Sequence, residues 1–333
     1  MSADATRSRA AMRVSMARAQ SRVPILQLLV LVALYLYGTS TIDGLSSRSS
    51  ILSMLVLAAF LGIASLGQTL VVLLGGIDLS IAAYLLAGNV LTARLLGQEG
   101  WSPVTTFGLI FLVAVVGGGA TGYLCSRLRA NPLVVTLGTA AIISGITIVL
   151  FGSTSSGPLP QWLVDVSSVT GKTFGVEVPS VVVMWAALAV IVGVVLSRTR
   201  AGRNLYATGT KQPAAELALV RTHLVWAAVF ALSALSAAFT GVLLTGFGGG
   251  ANFTVGEPYL FTSLTAVIAG GVSYIGARGS YWNTCIGALI LTLLTTILIG
   301  RGYDAADTQI VYGALIFVFV GLYARSSKIR DRI

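Results

Sequence analysis

Few side chains in this sequence are of types that make or break bonds, and their spacing forms no reactive set. His223, the only histidine, stands at one end of an apolar stretch and reads as a boundary residue satisfied by headgroups or water rather than as a proton relay. Asp78 is the one acidic residue close to an apolar run. It serves either as the N-cap of a helix beginning near Leu79, accepting backbone N–H groups, or as a membrane carboxylate with a direct role. Cys125 and Cys285 lie in separate apolar stretches without C-x-x-C spacing, so they read as small buried hydrophobes, and neither a disulfide framework nor a zinc site is expected. The sequence holds no H-E-x-x-H, paired carboxylates or Ser/His/Asp set in register with its apolar runs, which argues against a membrane-embedded enzyme. It also lacks a G-x-x-x-x-G-K-[ST] loop, so ATP cannot be held here in the P-loop manner. The chain is expected to perform no bond chemistry of its own and to bind no metal or cofactor.

The elements that must position any polar group follow from composition. Of 333 residues, 56% are hydrophobic and 10% charged, against about 25% charged in soluble domains, so the solvent for most of the chain is lipid. Apolar runs of about 20 residues, rather than alternating strands of about 10, select helices over a barrel. The expected fold is all-α, a polytopic transmembrane helical bundle of about ten spans. They fall at about 24–42, 51–74, 79–97, 104–126, 133–151, 179–197, 223–246, 259–276, 281–299 and 309–324. An even count puts both termini on one side, and the distribution of Lys and Arg orients them. With the N-terminus in the cytoplasm, only Arg48, Arg94, Lys172 and Arg301 of the 21 basic residues fall outside, leaving seventeen inside. The net charge of +10 then reads as topology and attraction to membrane lipid, not as nucleic-acid binding.

Five arginines ahead of an apolar run also describe a signal peptide. The run from Pro24 to Ile42 is too long for one and lacks a small-x-small cleavage site, so an uncleaved first helix is expected. The chain then divides into a basic cytoplasmic tail over 1–22, one transmembrane domain over 23–326 and a second cytoplasmic tail over 327–333. The eighth span is the weakest. Its core from Thr262 to Gly271 is small and hydroxylated, which suits close packing in a bundle or a broken helix beside a cavity, not a lipid-facing helix. An outside loop from Gly152 to Ser180, with Trp162, Asp165 and Glu177, reads as a solvated loop, a docking surface or a cap. The inside loop from Arg198 to Arg221 says more. Pro213 suits a first helical turn, and Ala214, Ala215, Glu216, Leu217, Ala218 and Leu219 favour helix, so a short helix is expected on the cytoplasmic face. It is either a compact knob for another protein to hold or a connection packed on its own bundle.

Four motifs recur in order. Thr199, Gly202, Arg203, Tyr206, Ala207 and Gly209 spell T-x-x-G-R-x-x-Y-A-x-G, followed by the pair Ala214 and Ala215. Gly75 to Ser80 reads G-G-I-D-L-S, and Val135 to Thr139 reads V-T-L-G-T. Ala269 to Ser273, with Gly276, Gly279 and Gly287-Ala288, is similar to G-G-T-S and G-T-x-x-G-A. From about residue 50 to the end, the chain thereby resembles the permease subunits of bacterial ATP-binding-cassette (ABC) importers of the ribose and related monosaccharide class. It departs from them where Leu219-Val220 replaces Gly-Ile, where Val134 replaces an aromatic residue, and where Tyr259 to Leu264 lacks an acidic helix start.

The resemblance implies a permease that moves a ribose-like sugar across the bacterial cytoplasmic membrane, with ATP used by a partner subunit. Its partners would be an ATP-binding cassette subunit, an extracytoplasmic solute-binding protein and a second permease, either another copy or a paralogue. Residues 198–222 would be the coupling segment, with Gly202, Arg203, Tyr206, Gly209, Ala214, Ala215 and Glu216 facing the ATPase. Gln68, Asp78, Asn89, Thr136, Thr139, Thr262 and Thr265 are candidate linings of the path, bonding sugar hydroxyls or else bonding helix to helix. A nucleoside, an autoinducer sugar or a branched-chain amino acid is the alternative solute within this reading. An ion-coupled or facilitative carrier is the rival from another class; it would usually carry intramembrane carboxylates, histidines or lysines. A receptor or structural membrane protein would need neither the docking helix nor 38 glycines.

Overall fold

A computed structural model describes residues 24–153, 157–173, 175–273 and 277–330, with only the backbone described at 305 and 319–330. The expected tail over 1–22, the last residues of the tail over 327–333, and Gly276 lie outside the described residues. In chain order the elements are α1 (Ile25–Thr41), α2 (Arg48–Leu73), α3 (Ile81–Leu91) with a π-helical continuation (Thr92–Gln98), α4 (Pro103–Leu128) and α5 (Pro132–Phe151). There follow α6 (Gln161–Ser167), α7 (Ser180–Arg198), α8 (Arg200–Thr210), α9 (Gln212–Leu217), α10 (Thr222–Gly248), α11 (Glu257–Ala269), α12 (Tyr281–Gly300) and α13 (Ala305–Arg330). Among the described residues the only β pairing is two isolated bridges, Thr173 with Val176 and Ser273 with Arg278.

Among the described residues six helices, α2, α4, α5, α7, α10 and α12, are long and apolar enough to cross a membrane. The other four expected spans coincide in position with α1, α3 plus its π-helical continuation, α11 and α13. Helix starts follow local chemistry. Ser47, Ser102 and Asn131 each accept a backbone N–H of the first turn of α2, α4 and α5, and Pro103 and Pro132 open the last two with φ already helical.

The core is built around α2 and α10, which pack on each other, while α4 and α3 also line α10. Small residues make the approach possible. Gly118 and Gly122 of α4 lie against the backbone of Phe230 and Trp226, where any Cβ would collide with a carbonyl. Gly270 and Gly287 meet the backbones of Asn283 and Ala266 in the same way, locking α11 to α12.

The weak eighth span is a half-length helix of 13 residues. It stops at Gly270 and Gly271, the latter at φ +89, so the expected end at 276 is seven residues too late. All of Ser263 to Ile268 is buried, which places this helix against protein. The acidic helix start that Tyr259 to Leu264 lacks is present after all: α11 begins two residues earlier, with Glu257 in its first turn, where an anion favours the helix dipole.

Candidate coupling segment and transport path

α8 leaves α7 after a single residue, Thr199, whose hydroxyl accepts the Gly202 N–H at 3.4 Å. Gly202 is buried against the Leu196 carbonyl, and half-buried Gly209 packs on the Leu73 carbonyl at the end of α2; neither site has room for a Cβ. The Tyr206 hydroxyl donates to the Gly279 carbonyl at 2.8 Å, and burial pushes its pKa up, so it stays a donor. These three residues therefore face the body of the chain, whereas Arg203 is exposed.

The short helix α9 is present, with Pro213 in its first turn. It buries Ala215, 4% exposed, and leaves Ala214 exposed. Glu216 accepts from the Thr222 hydroxyl at 2.7 Å and from Gln212 Nε2 at 3.1 Å. These bonds, that from Thr222 foremost, hold its carboxyl below the usual range. α9 ends at Leu217 rather than Leu219 because the chain reverses there. The Leu219 and Val220 N–H groups return to the Glu216 and Ala215 carbonyls at 2.9 and 3.0 Å, with Leu219 at φ +60. This is the Schellman arrangement, which favours glycine at the left-handed position, so the replacement of Gly-Ile by Leu219-Val220 falls on the one residue where glycine has a backbone reason. Leu217 and Leu219, 88% and 91% exposed, project from this turn; nothing in the helix-forming pattern singled them out.

Asp78 is buried in the turn between α2 and α3. Its Oδ1 accepts the Ser80 N–H at 2.8 Å and the Ser80 hydroxyl at 2.5 Å, and its Oδ2 accepts the Ser233 hydroxyl of α10 at 2.7 Å. The carboxylate thus takes an N–H just ahead of a helix that starts at Ile81 rather than near Leu79, and ties that turn to α10.

Asn89 is equally engaged. It donates to Thr245 Oγ1 at 2.9 Å and to the Gly250 carbonyl at 3.3 Å, and accepts the Asn252 N–H at 2.7 Å, pinning the connection between α10 and α11. The hydroxyls of Thr136, Thr139, Thr262 and Thr265 all bond carbonyls of their own helices, those of Leu133, Val135, Pro258 and Phe261. Thr139 also meets Thr121 of α4 at 2.9 Å, and Thr262 is half-buried.

Gln68 differs from all of these. It is fully buried, and neither its Oε1 nor its Nε2 has a partner among the described residues. Ser65 on the same face of α2 and Ser263 on α11 also have unpartnered hydroxyls. α2 and α11 meet on one turn of α12: Thr69 of α2 bonds Thr284 of α12 at 2.7 Å, and Gly270, just past the end of α11, packs on that same turn. An unpartnered buried polar group costs about 1–3 kcal/mol, so here the bundle offers hydrogen bonds it does not itself use; Gln27, Tyr84, Thr106, Ser167 and Trp226 each carry one further such atom, and Gln68 alone carries two. The pattern is not legible in sequence beyond Gln68, because only packing decides which buried serines are left without a partner.

Charge is distributed unequally. Arg48 and Lys172 pair with Glu177 at 2.7 and 3.7 Å, and Arg94 pairs with Glu99 at 2.8 Å. Arg301 lies over the Tyr37 ring at 5.4 Å. Three of the four basic residues expected outside are therefore ion-paired, and Arg48 above all holds the Glu177 carboxyl below its usual range. Among the described residues, no basic residue expected inside pairs with a carboxylate.

The chain is 28% identical over 296 residues to the inner membrane ABC transporter permease protein YjfF of Escherichia coli (strain K12), covering 88% of this chain and 89% of that one. It is 30% identical over 279 residues to the ribose import permease protein RbsC of Bacillus subtilis (strain 168), 84% and 85% of the two chains. With the fructose import permease protein FrcC of Rhizobium meliloti it shares 31% over 302 residues, 88% and 83% of the chains. No solved structure matches the chain. A family model described as branched-chain amino acid transport system / permease component matches residues 50–320, and the chain belongs to that permease family.

Proposed function

We propose that this chain is the transmembrane permease subunit of an ABC importer that carries a monosaccharide across the bacterial inner membrane, as a multi-pass protein with no ATPase site of its own. The observation that carries the reading is the match over residues 50–320 together with relatives named for ribose and fructose import that align along most of both chains. In this reading ten segments enter the membrane from cytoplasmic termini. The ion pairs of Arg48, Arg94 and Lys172 support that orientation, because cations on the side that should be poor in positive charge are the ones neutralised.

Two permeases, identical or paralogous, enclose one path; a binding protein delivers sugar outside, and ATPase subunits hold α9 inside through Ala214 and its neighbours. ATP binding and hydrolysis in the partner bias the packing of the pair. α8 and α9 transmit that bias because Tyr206, Gly209 and Glu216 tie them to α12, α2 and α10. Gln68, with Ser65 and Ser263, is the set best placed to meet sugar hydroxyls, since its hydrogen bonds are unspent. The family's own description supports a second solute class, the branched-chain amino acids. The test is uptake of labelled ribose by cells expressing the chain with its neighbouring genes. Competition by unlabelled pentoses and hexoses but not by leucine is expected; competition by leucine alone would move the assignment to amino acids.

A further inference from the structure

A groove of about 1010 Å³ opens between α7 and α10, away from Gln68. Its walls carry Leu188 and Val195 of α7 and Leu224 and Leu232 of α10, and its floor carries Leu66 and Leu70 of α2. Both walls pack on α2, which holds them apart as the two sides of a trough. A sugar would leave its hydroxyls unbonded against such a lining. Hydrocarbon would not.

The groove has a depth and a polar end. Its α10 wall runs from Leu224 to Phe239, about 22 Å at 1.5 Å per residue, whereas one leaflet of hydrocarbon is about 15 Å deep. Its mouth is made by Asn204, Leu219 and Arg221, that is, by the coupling segment. Arg221 is exposed and pairs with no carboxylate among the described residues.

We infer that this groove holds an anionic phospholipid of the inner leaflet, with an acyl chain between α7 and α10 and the phosphate at Arg221. The inference rests on the cytoplasmic placement of residues 198–222 in the proposed function. Charge complementarity selects the occupant: the mouth offers a cation with no partner in the protein, and a lipid phosphate supplies the anion at that depth. A protein helix would instead favour a small-residue surface for close approach, and this lining is branched and bulky. Because the coupling segment forms the mouth, an occupied groove links lipid composition to the position of α8 and α9.

The test uses the full-length chain in nanodiscs of phosphatidylcholine with phosphatidylglycerol carrying a diazirine in its acyl chain. Crosslinks are expected in residues 188–196 and 224–239, and native mass spectrometry should show retained phosphatidylglycerol in preference to phosphatidylcholine. Arg221→Gln should lower that retention about five-fold, and Arg127→Gln, on α4 outside the groove, should not. Ala228→Trp fills the groove and should abolish the crosslinks, which keeps the test decisive if Arg221→Gln misfolds. Equal retention of both lipids, or crosslinks confined to other helices, would overturn the inference. Labelling of Ala214→Cys from the cytoplasmic side in intact inverted vesicles separates an empty groove from a wrong orientation.

Discussion

The hydroxyl of Tyr206 reaches the Gly279 carbonyl across 73 residues of chain, at 2.8 Å. It ties α8 of the proposed coupling segment to the turn that leads into α12, and α12 in turn packs on α2 and α11. Tyr206→Phe removes one hydrogen bond worth about 1 kcal/mol and leaves the ring in place. Membrane insertion should be normal, while the sugar imported per ATP hydrolysed in proteoliposomes falls several-fold. An unchanged ratio would mean that this bond is not part of the coupling route.

The Glu216 carboxylate links α9 to the start of α10 through Thr222 and Gln212. Its pKa in the folded chain is depressed, so its contribution is complete above the ordinary value of 4.5 and is lost as pH falls through the lower folded value. Hydrogen exchange of residues 212–222 should therefore quicken below about pH 4.5 beyond the intrinsic rate change. Glu216→Gln should raise exchange at neutral pH and remove that acid dependence. A wild-type chain without the acid step would show that the carboxylate does not hold this junction.

Leu219 occupies a left-handed position that costs a branched or bulky residue about 1 kcal/mol or more, and its side chain is almost wholly exposed. Leu219→Gly should stabilise the turn after α9 and slow amide exchange at Leu219 and Val220 about five-fold. Faster exchange would mean that the leucine side chain contributes more than the strained backbone costs.

Gln68 is the sharpest test of the path. Gln68→Leu keeps the volume and deletes two unpartnered buried atoms, so thermal stability should hold or rise while the KM for sugar uptake increases about tenfold or more. Lost stability with unchanged uptake would make Gln68 a structural residue bridged by water.

Much of this was readable from sequence because the bilayer imposes it. Runs of apolar residues long enough to cross hydrocarbon must be helical, and the starts at Ser47, Ser102 and Asn131 carry their own caps. The short helix at Gln212–Leu217 was legible from Pro213 and the alanines that follow. Its end was not: helix propensity runs on through Leu219, whereas the backbone reverses there at φ +60 and closes on the carbonyls of Glu216 and Ala215. The half-length α11 is flagged by its small residues, but its expected end at 276 is seven residues too late, since Gly270 stops it for the sake of contact with α12. Among polar residues, type and depth could nominate Asn89 and Gln68 alike. Only packing shows that Asn89 is fully engaged by Thr245, Gly250 and Asn252, and that Gln68 is not.

The central claim is that an ATPase subunit holds this chain by α9, and copurification tests it most directly. Tagged wild-type chain and Ala214→Glu are taken from gently solubilised membranes and assayed for ATPase and for associated subunits. Ala214 is exposed while Ala215 is buried, so the charge should leave insertion and folding intact. A nucleotide-binding subunit with ATPase activity is expected on the wild type and neither on the variant. Recovery of wild-type chain alone and without ATPase, or equal recovery of the ATPase on both, would contradict it.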